Sequence, residues 1–304
     1  MRATRPDRAA RALVAVLALC AGLAVAAPDG AIVFGDSFKL TRFELATRRE
    51  SVTPLSARST EALGFGGGVV TDVEVVKRST SAPDRYTVKL IRSGAPERAL
   101  PPFSISKGHV SGRVQPSPDA SLFAVHTRES AGLGEPYIDN VYVFDAQSRV
   151  KLRVAGFSDP VWAGSDRLVA VADDGLYAVP LASARSAARI GPRRASPRRP
   201  ALSPDGRSIA FVEGDAVWRI GIDGSGLQRL TLPRRGQTWP TWSPDGSRLV
   251  VVRRECPPVG GASPNPELVI VSGSKADQDI ERLPLVMRQG NVPLRSCGPL
   301  YWTP

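Results

Sequence analysis

Two stretches, "ALSPDGRSIAFV" (Ala201 to Val212) and "TWSPDGSRLVVV" (Thr241 to Val252), align without a gap at a spacing of 40 residues. "QPSPDASLFAV" (Gln115 to Val125) is a third copy, with Ala120 where the others have glycine. "PVWAGSDRLVAV" (Pro160 to Val171) is a degenerate fourth, one residue shorter in its turn. Trp162, Leu202 and Trp242 then fall at intervals of 40 residues. A fixed period of this length restricts the chain to an architecture of stacked equal units.

Each copy has the same physical content. A short strand leads into Pro-Asp-Gly, where proline pre-sets φ and glycine accepts the positive φ of a tight turn. An apolar strand follows, as in Ser208-Ile209-Ala210-Phe211-Val212 and Arg248-Leu249-Val250-Val251-Val252. A second strand pair comes next, for example "AVWRIGIDGSGLQRLTL" (Ala216 to Leu232) with a turn signal at Asp223-Gly224. "NVYVFDAQSRVKLRV" (Asn140 to Val154) and "GLYAVPLASARSAARI" (Gly175 to Ile190) are its counterparts. Four short strands in roughly 40–45 residues is the unit of a β-propeller blade. The expected fold class is therefore all-β, a propeller of four-stranded antiparallel blades. No helical periodicity is found beyond the first 26 residues.

The spelling W-S-P-D-G before an apolar strand, with I-D-G-S-G-L-Q-R-L-T after it, resembles the TolB-type, WD-repeat-like β-propeller family of bacterial periplasmic proteins. The resemblance is strongest over residues 112–255 and covers the propeller alone. The resemblance does not extend to that family's additional N-terminal α/β domain, for which no room is expected in this chain. What the resemblance implies is a propeller used chiefly as a binding platform.

The two ends extend the repeat. Leu300-Tyr301-Trp302-Thr303-Pro304 matches Thr241-Trp242-Ser243-Pro244, and Pro28-Asp29-Gly30-Ala31-Ile32-Val33-Phe34 matches the turn and second strand. The last strand is thus expected to complete the first blade and close the ring, which removes two open sheet edges. Blades are expected at 28–62 with 298–304, 63–108, 109–156, 157–194, 195–235 and 236–297. That makes six; five or seven would follow from another division of residues 28–110. The glycines of Gly64-Phe65-Gly66-Gly67-Gly68 are expected to form a turn into blade 2 rather than a phosphate cradle.

Arg2, Arg5, Arg8 and Arg11 precede an apolar stretch that ends in small residues near Ala26. These are the parts of a cleaved secretory signal over residues 1–26, leaving a single domain over 27–304. The apolar run is shorter than a spanning helix needs, so no stable membrane insertion is expected after cleavage. Cys20 falls in the removed segment, and Leu19 before it is not the small residue that lipid-modified cysteines follow. Cleavage lowers the net charge from +11 to +8. Cys256 and Cys297 remain, and an oxidising compartment favours one bridge between them. By the blade topology both lie on one face in neighbouring blades, so the bridge would latch the ring, for about 3–4 kcal/mol of chain entropy.

Enzymatic constellations are sparse. "IVFGDSF" (Ile32 to Phe38) looks like the Gly-Asp-Ser block of secreted lipases, with Ser37 as nucleophile. The Asp-x-x-His base of that family is missing, since Ser106 and Phe123 stand three residues before His109 and His126. Asp29, Asp119, Asp205 and Asp245 lie in separate blades as turn residues, not as a calcium set. No metal site and no cofactor are expected. Trp162, Trp242 and Trp302 share a repeat position and are expected to pack between blades.

The connections entering the blades carry Lys107 with His109, Arg193, Arg194, Arg198, Arg199, Arg234, Arg235, Arg288 and Arg295. By topology they share one face around the channel mouth with the long Glu255 to Pro266 loop. Clustered positive charge attracts acidic partners. The expected function is a monomeric, exported, non-enzymatic scaffold that engages a protein or an acidic envelope component there. "RRASPRRP" resembles a nucleic-acid tract, but an export signal argues against a nucleic-acid partner. The alternative is a hydrolase or lyase with its site at the channel mouth.

Overall fold

The computed structural model describes residues 30–36, 39–54, 64–66, 69–76, 84–91, 97–105, 108–130, 132, 134–234, 236–253, 267–283, 288–289, 292–293 and 300–304. The signal segment, Asp29, Ser37, Lys107, Arg235, the 255–266 loop, Arg295, Cys256 and Cys297 lie outside these residues, and so does the expected disulfide. The described chain forms a six-bladed β-propeller of antiparallel sheets. Its helix content is one 3-10 turn at Ala184–Ser186 among the described residues.

From the innermost strand outward, blade 3 is Gly108–Pro116, Leu122–Ser130, Tyr137–Asp145 and Val150–Ala155. Blade 4 is Ser158–Trp162, Arg167–Ala172, Gly175–Pro180 and Ala188–Ile190. Blade 5 is Arg198–Leu202, Ser208–Glu213, Ala216–Gly221 and Gln228–Arg229. Blade 6 is Thr238–Trp242, Arg248–Arg253, Glu267–Ser272 and Asp279–Arg282. A small ribbon, Arg288–Gln289 with Val292–Pro293, lies in sequence between blade 6 and the last strand.

Blade 1 is built from both ends. Leu300–Thr303 pairs antiparallel with Ala31–Asp36, which is followed by Lys39–Glu44 and Arg49–Pro54. The register is Ala31 with Thr303 and Phe34 with Leu300. Leu300 and Trp302 then enter one buried cluster with Ile32, Phe34 and Phe43 of blade 1 and Trp239, Val250 and Ile270 of blade 6.

Blade 2 departs from the expectation in two ways. The Gly64–Gly66 segment is its innermost strand, not a turn. The glycines are there because blade 3 comes too close for a side chain: a Cβ on Gly64 would sit 1.6 Å from the Val114 carbonyl oxygen. Between them, Phe65 meets Tyr301 of blade 1 with ring centroids 3.7 Å apart. The outermost strand is broken in two. Arg98–Ala99 and Phe103–Ile105 both pair with Asp84–Ile91, and Pro101-Pro102 separates them. Proline cannot donate to a ladder, so the pair interrupts the strand and the register slips.

Tryptophans stitch blades together as the repeat predicted. The Trp162 indole N–H donates to the Gln115 carbonyl of blade 3 at 2.9 Å, and that of Trp242 to the Ala201 carbonyl of blade 5 at 3.0 Å. Leu202 stands at the same repeat position and packs in the blade 4–blade 5 cluster.

The Ser-x-Asp turns share one hydrogen-bond network. In blade 5 the Ser203 hydroxyl donates to Asp205 Oδ1 (2.6 Å), the Arg207 N–H donates to that oxygen (3.0 Å), and the Ser208 N–H donates to Ser203 Oγ (2.9 Å). Asp119 with Ser117 and Asp245 with Ser243 repeat it. Ala120 takes the glycine's conformation, with φ 54° against 71° at Gly206 and Gly246, and burial of its methyl group offsets the strain. Bonds from Ser117 and Ser121 hold the Asp119 carboxyl down at about 2, and bonds from Ser243 and Ser247 do the same for Asp245 at about 2. Asp205 is lowered too, first by Ser203 and then by the Arg207 N–H. Folded values below the unfolded 3.8 mean stability that is present above that pH and lost as pH falls toward about 2. A triple variant, Asp119→Asn with Asp205→Asn and Asp245→Asn, should melt lower at pH 7. Its melting temperature should change less than wild type's in a pH 4 to pH 2 series followed by circular dichroism.

Among the described residues, no helix is long and apolar enough to cross a membrane.

Candidate functional site

The innermost strands of blades 4, 5 and 6 each carry an X-Pro pair: Asp159-Pro160, Arg199-Pro200 and Trp239-Pro240. Proline removes a ladder N–H, and each strand bulges there, between Ser158 and Val161, Arg198 and Ala201, and Thr238 and Thr241. The three residues before proline hold φ of 45°, 53° and 52°, a left-handed backbone uncommon for residues with a Cβ. Such strain persists where the surrounding structure imposes it, and it clusters at working sites.

The bulges place the three side chains in a chain of contacts across blade boundaries. Arg199 donates from its backbone N–H to Asp159 Oδ2 at 2.9 Å and from Nη1 to Oδ1 at 2.7 Å. Its guanidinium lies over the Trp239 ring, 4.1 Å from the centroid. Blade 3 adds His126. The ladder of blade 3 shifts at His126, which stands at the repeat place held by Val171, Val212 and Val252 in blades 4 to 6. A histidine where the repeat otherwise keeps apolar residues breaks the local pattern, which is where function is expected.

His126 is buried, with 7% of its surface exposed. Its Nε2 contacts Asp139 Oδ1 at 2.8 Å, and Arg128 Nε shares that oxygen at 3.2 Å. Nδ1 is buried without a hydrogen-bond partner and lies 4.0 Å from Asp159 Oδ1. Ser111, His126, Asp159, Pro160, Arg199 and Trp239 together line a small cleft, partly open to solvent, with room for about one water-sized group. A buried nitrogen, a carboxylate and a guanidinium on a tryptophan face converge there.

The connections entering blades 5 and 6 do lie against the turns between second and third strands. Arg194 N–H donates to the Asp174 carbonyl at 2.9 Å, and Arg234 N–H to the Asp215 carbonyl at 2.8 Å. The described arginines of the expected basic face are largely ion-paired. Arg193 reaches Asp174 (3.5 Å) and Arg198 reaches Asp215 (3.4 Å), with side chains 77% and 57% exposed. Arg194 pairs with Glu213, lies 4.4 Å over Trp218, and has its guanidinium value pushed down by burial. Arg199 belongs to the cleft, Arg234 is exposed, and Arg288 sits in the ribbon after blade 6. His109 is exposed and meets the Tyr137 ring edge-on at 5.7 Å.

Of the cleft residues, sequence reading singled out only Arg199 for binding. The signal that could have found Asp159 and Trp239 was the X-Pro pair recurring at 40-residue spacing two positions before each tryptophan or leucine.

No protein-family model matches the sequence, and no curated protein matches it. The fold does find neighbours. The crystal structure of TolB from Acinetobacter baumannii aligns with a TM-score of 0.59 at 16% identity, over 90% of this chain and 67% of that one. A structure assigned as TolB from Agrobacterium tumefaciens aligns with a TM-score of 0.55 at 17% identity, over 84% of this chain and 88% of that one. In architecture, the chain is a TolB-like six-bladed β-propeller.

Proposed function

We propose that this protein is an exported, non-enzymatic scaffold that binds a protein or an acidic cell-envelope component through the face carrying its blade-to-blade connections. The observation that carries this reading is the gathering of connections and turns on one face, with Arg193, Arg198 and Arg234 exposed there. The fold likeness to TolB and the basic-then-apolar N-terminal segment support a periplasmic binding role. Exposed charge of this kind steers association and weakens with salt.

The test is a triple reversal, Arg193→Glu with Arg198→Glu and Arg234→Glu, that leaves the Arg199–Asp159 pair intact. A partner captured from envelope extract should bind the variant at least about tenfold more weakly at low salt, with a flatter salt dependence. Unchanged affinity for that partner would place the binding surface elsewhere.

A further inference from the structure

We infer that the channel-mouth cleft holds a primary ammonium group between His126 Nδ1 and Asp159 Oδ1. This goes beyond the loop-face reading and does not depend on it. A carboxylate oxygen accepts hydrogen bonds, so the hydrogen of the His126–Asp139 contact sits on Nε2. In the neutral ring Nδ1 carries a lone pair, and it is buried without a partner in the cleft wall. A buried acceptor left unpaired is costly, and Asp159 Oδ1, also an acceptor, lies 4.0 Å from it.

Two acceptors at that separation are spanned by one atom about 2.8 Å from each, with about 90° between its two bonds. The atom must carry at least two hydrogens. An ammonium nitrogen does, and its third can go to the Ser111 hydroxyl, which lines the same cleft. Asp159 and Asp139 flank the position, and Arg199 and Arg128 share their charge, so the site carries no net charge to repel a cation. A charged donor bonds a carboxylate more strongly than water does. Only the amine head needs to enter, since the cleft opens toward solvent.

The chain has two histidines, His109 and His126, so ¹⁵N-histidine labelling resolves the imidazole by NMR. Titration of the full-length protein with methylammonium should shift the His126 Nδ1 resonance saturably and leave His109 in place. Nα-acetyl-lysine amide and glycine amide then separate a side-chain amine from a chain N-terminus as the source. His126→Val, which adopts the residue at the matching place in blade 5, and Asp159→Asn should each weaken the response at least about tenfold, the former read by the change in tryptophan fluorescence. A His126 nitrogen pair with the imidazolium signature, or an Nδ1 resonance that no amine moves because water fills the gap, would overturn the inference. Wild-type titration decides this even where a variant fails to fold.

Discussion

A chain that stops before Leu300 is expected to lose cooperative folding and to aggregate. The four residues Leu300–Thr303 are the innermost strand of blade 1, and their removal leaves Ala31–Asp36 with an open edge. Leu300 is 1% exposed and Trp302 is 8% exposed, so two large core side chains leave with the strand. Deleting such side chains costs about 2–5 kcal/mol each, against a total stability on the order of 5–15 kcal/mol for a domain. Blade 6 also loses the bond from the Thr241 hydroxyl to the Leu300 carbonyl at 3.0 Å. The exposed edge is then free to pair with other chains. Size-exclusion chromatography and urea unfolding check this. A truncated chain that elutes as a monomer with a wild-type unfolding midpoint would contradict the closure described for blade 1.

Trp242→Ala should be the most damaging single substitution between blades. The ring is 6% exposed and lies in a cluster with Ala210, Val212 and Leu230 of blade 5 and Leu249 and Val271 of blade 6. It presses so close to Gly273 that a Cβ there would be 2.7 Å from the ring. Truncation leaves a cavity and removes the indole N–H from the Ala201 carbonyl. Together these cost about 4–6 kcal/mol, which lowers the melting temperature by roughly 10–15 °C for a domain of this size. Trp242→Phe keeps most of the ring volume and drops the hydrogen bond, so its loss should be nearer 1–2 kcal/mol. Calorimetry of the pair separates packing from hydrogen bonding. Equal losses would assign the role of Trp242 to its N–H alone.

Blade number, ring closure and the interblade tryptophans were legible because each depends on local spelling repeated at a fixed distance. Turn residues and apolar alternation fix a strand wherever they occur, and 40 residues from Trp162 to Leu202 to Trp242 carried the register around the ring. Blade 2 was less legible because glycine, which gives weak strand signals, is required there by the approach of blade 3. The cleft was the least legible part. Arg194 and Arg198 read as free charge in one dimension, yet Glu213 and Asp215 reach them from blade 5. His126 gains its meaning from Asp139 on the next strand and Asp159 on the next blade, contacts that no spacing rule encodes.

The X-Pro bulges separate what the backbone does from what the side chain says. Asp159, Arg199 and Trp239 occupy one backbone conformation in three blades, and an acid, a base and an aromatic are all accepted there. The position therefore behaves as a socket whose plug can be exchanged while the strand, its proline and the tryptophan or leucine behind it keep their places. Three such sockets are an alphabet with one letter in each of blades 4 to 6, and a new specificity can be spelled there without rewriting the scaffold.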